Sequence, residues 1–392
     1  MDIIVIGGGA GGIFAALAAK QSHPDLSVLV LEKTAVLLSK VKVSGGGRCN
    51  VTHACFDPQQ LVKNYPRGEK ELLGPFYRFQ PRDTIEWFES RGVKLKTESD
   101  GRMFPITDSS STIIECLLSE ARQLGVEIRQ RQRVEKIDKG FTIHLKDNPS
   151  LSCRSLILAT GSSPEGYAVA ESLGHSIQPP VPSLFTFNVP TSPLKELSGV
   201  SVDSATVTVG PYTQTGPLLI THFGFSGPAI LKLSAWGARF LHEKNYRTPF
   251  SINWTPKLSL EELFQQLIQL KERSPQKTLL SLNPFYFPKN LWKELLGSTH
   301  EKSLANLSKK ELQELSQKLH ADIYQMDGKT THKEEFVTCG GVTLKEVDFK
   351  TLQSKLCPSL YFAGEVLNID GVTGGFNFQN AWTTGYIAGT SI

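Results

Sequence analysis

Ile3-Ile4-Val5-Ile6-Gly7-Gly8-Gly9-Ala10-Gly11-Gly12 is the stretch that decides the fold. Four apolar residues, all β-branched, closed by a glycine cluster read as a short buried strand, and the Ala- and Leu-rich run from about Ala10 to Gln21 reads as a helix. Ser27–Leu31 is then a second buried strand, ending at Glu32. Strand, helix and strand in that order form a βαβ unit, which implies a parallel sheet. Within it stands Gly7-x-Gly9-x-x-Gly12, with Glu32 twenty residues after Gly12. The first glycine permits a tight turn, the second lets a pyrophosphate approach the backbone, and the third lets the helix pack on the strand. The helix start, with Ala10 and Gly11, offers N–H groups and a positive dipole end to an anion. Glu32 is placed to accept hydrogen bonds from an adenosine ribose. A dinucleotide site is expected; a glycine turn without a ligand is the alternative.

Around this core the chain of 392 residues is long enough for two or three domains. Lys and Arg number 42 against 38 Asp and Glu, a net charge of +4 that gives little reason to expect a nucleic-acid partner. Six scattered cysteines form no CxxC pair, so no zinc or dithiol centre is expected and a reducing cytoplasm fits. The apolar N-terminus lacks a basic leader and is broken by glycines, and no apolar run reaches the roughly 18 residues of a membrane span. A small-molecule substrate is the expected partner; the oligomeric state is open.

Farther along, residues 33–75 read as long irregular chain, Ser110–Leu124 as a helix, Val126–Arg129 as a strand and Arg133–Lys146 as a hairpin. Ser155–Thr160 is another buried strand, closed by Gly161. After Pro179-Pro180-Val181-Pro182 the texture turns β-rich, with strands at Val200–Val209, Leu218–His222 and Pro249–Trp254. Ser259…Glu262 and Ser308…Glu311 have capping-box spacing and open amphipathic helices. Ser226 reads as the N-cap of a further helix, ahead of Pro228. Leu360–Ala363 is a buried strand and Asn380–Thr390 a helix. The expected domains are therefore 1–188 and 337–392 for the nucleotide-binding part. Residues 189–256 and 321–336 form the β-rich insert, and 257–320 a helical subdomain.

Two further turns narrow the nucleotide. Ala159-Thr160-Gly161 in mid-chain and Phe362-Ala363-Gly364-Glu365 near the end resemble the turns of flavoproteins in which FAD lies extended across the sheet. Glu365 stands where that wider pattern has Asp, and keeps a carboxylate beside the ribityl–phosphate part. Ser44-Gly45-Gly46-Gly47-Arg48-Cys49-Asn50-Val51-Thr52, Gly101–Pro105, Thr221–Ala229, Gly364–Leu367 and Gly374–Asn377 then resemble the signatures of a bacterial family of NAD(P)/FAD-dependent oxidoreductases. That family includes aminoacetone-oxidase-like flavoproteins and bile-acid 3-dehydro-Δ4-reductase, and the matching blocks span the chain. The resemblance implies an α/β, glutathione-reductase-like Rossmann domain binding FAD, interrupted by a β-barrel-like insert with a helical piece.

Read as residues, the triple glycine permits φ > 0 turns and close backbone approach. Arg48 can pair with a phosphate or carboxylate, or lock the loop, and Asn50 can serve the flavin edge or the loop itself. Cys49, without a second thiol nearby, reads as a buried packing residue more than a redox partner. The turn Gly371–Gly375 leads toward a helix whose N-terminus would stabilise negative charge on a reduced flavin; the resemblance sets Asn377, Phe378 and Gln379 against the ring. Lys33, Lys40, Gly47, Val134 and Gly375 complete the candidate cofactor contacts. His222, Arg48 and Tyr167 are weak candidates for moving a proton. No metal site is expected. The expected chemistry is hydride transfer through flavin N5, with NAD(P)H as a transient donor implied by the family and a polarised C=C as acceptor. Alternatives are an amine oxidase using dioxygen, an RNA-modifying flavoprotein and a redox sensor without turnover.

Overall fold

The computed structural model describes residues 1–330 and 337–392; the part of the expected 321–336 return that falls on 331–336 lies outside the described residues. The chain divides into two compact units, Met1–Val181 with Lys333–Ile392, and Pro182–His332.

The first unit is built on a seven-stranded sheet in the order Val347–Asp348, Gln353–Ser354, Leu360–Phe362, Ser155–Leu158, Ile3–Ile6, Val28–Leu31, Glu127–Arg129. Its last five strands are parallel, with Ile3 opposite both Val28 and Ser155. Parallel strands are covered on both faces, which is why Ile3, Ile4, Val5 and Val28–Leu31 are apolar without alternation and all buried. Each such side chain contributes about 1.5–3 kcal/mol by leaving water. The helix Ser110–Leu124 begins where Ser109 accepts from the Ser111 N–H and stops at Gly125, at φ 73°.

Two helices lie unusually close. In the C-terminal helix Phe376–Thr390, a Cβ on Gly385 would stand 2.7 Å from the Gly11 carbonyl oxygen. One on Gly389 would stand 2.3 Å from that of Ala15, in the helix Ala10–Ser22. This C-terminal helix starts at Phe376 and not at Asn380: Gly375 makes the turn at φ 94°, and residues expected to be loop form the first helical turn. The segment expected to be irregular carries short helices at Ser39–Val43, Pro58–Leu61 and Glu69–Arg78. It is tied to the C-terminal helix by Tyr65 Oη donating to the Phe376 carbonyl at 2.6 Å, and by Trp382 Nε1 donating to the Val51 carbonyl at 2.9 Å.

The second unit holds a seven-stranded sheet ordered Asp322–Asp327, Arg247–Asn253, Ser201–Val209, Tyr212–Thr221, Gly224–Ser226, Thr186–Asn188, Lys329–Thr330. Its two outermost strands are consecutive in the chain, separated only by Gly328, so the sheet curls until its edges meet as in a barrel. Both expected capping boxes form, at Ser259/Glu262 and Ser308/Glu311. The helices they open share one core with the strands: Leu263, Leu267, Trp292 and Leu319 join Val207, Ile252 and Trp254. Ser226 does not cap a helix; it ends a strand, and Gly227, at φ 90°, takes the cap before Pro228–Trp236. Among the described residues no helix is long and apolar enough to cross a membrane.

Candidate nucleotide-binding site

The parallel strands Ile3–Ile6, Val28–Leu31 and Ser155–Leu158 end together, and their C-terminal turns carry the fingerprint residues, as open α/β sheets dispose their ligand sites. The three glycines divide the work. A Cβ on Gly7 would lie 2.3 Å from the Ala159 carbonyl oxygen, and one on Gly12 1.9 Å from that of Gly7. Those two are demanded by packing. Gly9 has nothing within 4 Å of its Cβ position. It opens the helix with no side-chain cap, so the first-turn N–H groups are left for an outside acceptor. A cradle with backbone donors and room for a ligand fits the pyrophosphate of FAD.

Glu32 is held at the neighbouring strand end by two backbone donors, Gly8 N–H to Oε2 and Thr34 N–H to Oε1, both at 2.8 Å. Beside it a cavity is lined by Gly7, Glu32, Lys33, Val134 and Thr160 from the expected set. Gln132, Arg133, Ser163 and Glu165 also line it and were not foreseen. Glu165 bridges Lys33 at 3.1 Å and Arg133 at 3.5 Å. The Ser163 hydroxyl donates to it at 2.7 Å and, with Lys33, pushes its carboxyl down to about 2. The signal for Glu165 was its place in the first turn after Ser163-Pro164, an acidic residue at a helix start. Thr160 Oγ1 is buried without a hydrogen-bond partner, an orphan that a bound polar group would satisfy.

Glu365 gathers a second group. It pairs with Lys40, accepts from the Thr338 N–H at 3.1 Å, and lies 3.8 Å from the Cβ position of Gly161. Gly364 is fixed by donation from its N–H to Thr384 Oγ1 at 2.8 Å. Tyr167 is buried nearby with an unpartnered hydroxyl, and burial with the Glu365 charge pushes its phenol well above the usual range. It can donate a hydrogen bond but does not ionise near neutral pH.

The triple-glycine loop takes the left-handed turns its composition allows, with φ 58°, 68° and 84° at Gly45, Gly46 and Gly47. Arg48 points into its own unit: it pairs with Glu98 at 2.7 Å and Asp108 at 3.4 Å and lies 4.0 Å over the Phe104 ring. The Asn50 amide takes its partners from the loop and the C-terminal helix entry, with its oxygen accepting from the Gly375 N–H and its nitrogen donating to the Thr52 carbonyl, each at 3.0 Å. Cys49 is fully buried and its thiol is pushed up to about 12 by desolvation, so it stays protonated and is a poor nucleophile.

At the C-terminal turn Asn377 pins Gly371 through paired bonds of 2.8 and 2.9 Å, and Phe378 stacks on Trp382. Gln379 is fully buried, with its carbonyl accepting from Thr52 and Thr84 and its amide donating to Thr383. Its side chain is therefore committed to the interior. Gly375 caps the helix without a side-chain bond, leaving a second set of N–H groups open. Arg67 and Asp370 form a two-pronged, largely buried ion pair at the same turn. No local pattern could have announced it, since the partners stand 303 positions apart. His222 lies at the exposed tip of a hairpin in the second unit.

Residues 1–391 match the model of the HI0933-like protein Rossmann domain. The chain is 30% identical to a 3-dehydro-bile acid delta(4,6)-reductase of Clostridium scindens, with 98% of this chain and 97% of the relative covered. It is 31% identical to a ribosomal RNA dihydrouridine synthase of Escherichia coli, with coverage of 98% and 96%. Among solved structures, the 3-ketosteroid-Δ4-(5α)-dehydrogenase of Rhodococcus jostii RHA1 shares the fold at 13% identity and a TM-score of 0.52, covering 100% of this chain and 96% of that one. A whole-chain family match, together with the nucleotide cradle, makes this chain a member of the HI0933-like Rossmann family of flavin-dependent oxidoreductases.

Proposed function

We propose that this chain holds FAD in its first unit and reduces a carbon–carbon double bond conjugated to a carbonyl, with a uracil base of RNA as the favoured acceptor. The cradle around Gly9 and Glu32 carries the reading: open N–H donors for a pyrophosphate and a fixed carboxylate for a ribose. When bound, FAD supplies hydride transfer in two-electron steps. The first turn after Gly9 holds the pyrophosphate and Glu32 the adenosine ribose. Thr160 and the cavity by Val134 and Glu165 take the adenosine end, while Lys40, Gly161 and Glu365 serve the ribityl side. The open N-terminus at Gly375 stabilises negative charge on the ring edge.

The names of the two relatives support the acceptor class. A 3-dehydro-Δ4,6 bile acid and a uracil ring both present a C=C conjugated to a carbonyl, and saturating it is one reaction class on two scaffolds. Charge favours the RNA. The near-balanced total conceals an uneven distribution, since Pro182–His332 carries 16 Lys and Arg against 12 Asp and Glu and the first unit is neutral. NAD(P)H is the proposed electron source.

The test mixes holoenzyme anaerobically with NADH and with NADPH, then adds a steroid enone, free uridine or uridine-containing RNA. Expected are bleaching of the flavin band by one nicotinamide and its return on addition of the RNA. Return with the enone alone would move the acceptor to a small molecule. Return only with dioxygen after reduction by an amine would replace the reductase by an oxidase.

A further inference from the structure

Tyr286 is 92% exposed, more than any other large hydrophobic side chain among the described residues, although it sits between two aromatic residues turned inward. Phe285 and Phe287 pack on Trp292, with ring centroids 5.7 and 5.8 Å away, and Trp292 Nε1 donates to the Leu279 carbonyl at 2.8 Å. The turn is closed by Asn283, whose amide donates to the Phe287 carbonyl at 2.7 Å and accepts from the Phe287 N–H at 3.1 Å. Tyr286 itself holds φ 56°, a left-handed conformation uncommon for a bulky residue. A rigid turn thus keeps one aromatic face in water, where the hydrophobic effect alone would have buried it.

The charge around this turn is equally uneven. Lys289 and Lys293 lie one helical turn apart on the exposed side of Lys289–Leu296, and neither forms an ion pair. From Lys271 to Lys318 the chain holds nine Lys and Arg against five Asp and Glu, an excess equal to the +4 of the whole molecule. Tyr286 stands inside that segment.

We infer that the turn Asn283–Pro288 is a stacking platform for an unpaired base of RNA, with Lys289 and Lys293 receiving the flanking phosphates. It rests on the RNA reading of the acceptor and adds where the chain grips its substrate away from the reacting base. An aromatic ring offers any base a π-face, and lysines read phosphate without regard to sequence. A protein partner would call for a wider apolar patch, and a membrane surface for more than one apolar side chain beside the lysines.

The experiment measures anisotropy of a short fluorescein-labelled single-stranded oligoribonucleotide on the full-length holoenzyme, over a series of KCl concentrations. Tyr286→Ala is expected to weaken binding about 5- to 100-fold, the range of losing one base–aromatic stack. Tyr286→Phe is expected to bind like the parent and to show that the turn stays folded. K289Q/K293Q is expected to flatten the salt dependence by roughly one unit of log–log slope. Equal affinity of parent and Tyr286→Ala, or binding of phosphatidylglycerol vesicles in place of RNA, overturns the platform. If the parent reduces uracil in RNA while Tyr286→Ala binds unchanged, the platform alone fails. If the parent binds no RNA and reduces an enone, the acceptor reading fails and takes the platform with it.

Discussion

Two glycines three positions apart, Gly9 and Gly12, meet opposite surroundings, and alanine at each separates ligand from fold. Gly9→Ala projects a methyl into open space. The apoprotein should lose only about 0.5 kcal/mol from a poorer cap, while FAD affinity falls about 10- to 100-fold because the methyl takes the ground of the pyrophosphate. Gly12→Ala drives its methyl into the Gly7 carbonyl and should cost on the order of 3 kcal/mol in the apoprotein itself. Urea denaturation and FAD titration of both variants check the pair; a Gly9→Ala protein that binds FAD normally would remove the cradle. Glu32→Ala is expected to weaken FAD about 10-fold or more through loss of charge-assisted bonds, read by FAD retention on dialysis.

At the scale of elements, the crossing of the first and last long helices is set by Gly385 and Gly389. Gly389→Val must push the helices apart and should destabilise by about 1–3 kcal/mol, with flavin content falling because the first helix carries the cradle; an unchanged denaturation midpoint would refute the close packing. A second prediction concerns the sheet edge. His175 is buried between Glu346 at 3.1 Å and Ser354 at 2.8 Å, and desolvation lowers its pKa below the ordinary histidine value. The unfolded chain therefore takes up the proton first as pH falls below about 6.5. The histidine's contribution is present above that pH and is lost as pH drops toward its lower folded value. Stability curves of the parent and His175→Asn should converge in acid; parallel curves would show that His175 does not titrate on unfolding.

The same scale shows what sequence can and cannot tell. The βαβ start, the helix Ser110–Leu124 and both capping boxes were legible because their signals are local: buried apolar runs, glycine turns, Ser and Glu three apart. The early start of the C-terminal helix was not, since Phe376–Gln379 has no helical periodicity and is held by Gly375 and by Tyr65 from far upstream. Gln379 read as a ligand contact because an amide after a glycine turn invites that reading; only the packed fold brings Thr52, Thr84 and Thr383 around it.

For the whole molecule, the residues assigned to FAD all lie in Met1–Val181 and Lys333–Ile392. Replacing 182–332 by a short Gly/Ser linker should leave a protein that still binds FAD, within about tenfold of the parent's affinity if the cradle is independent of the second unit. Calorimetric titration with FAD measures this, and a folded protein that no longer takes up FAD would place part of the cradle in the second unit.

The pairing of the first helix with the last has a consequence in time. A ribosome releases the fingerprint strand and helix first, then must make the whole second unit before Phe376–Thr390 can close over them. Any chain arrested earlier carries the glycine turn but lacks the helix that braces it. Flavin uptake can thus report that synthesis has run past residue 376, so that colour in the purified protein certifies a finished chain.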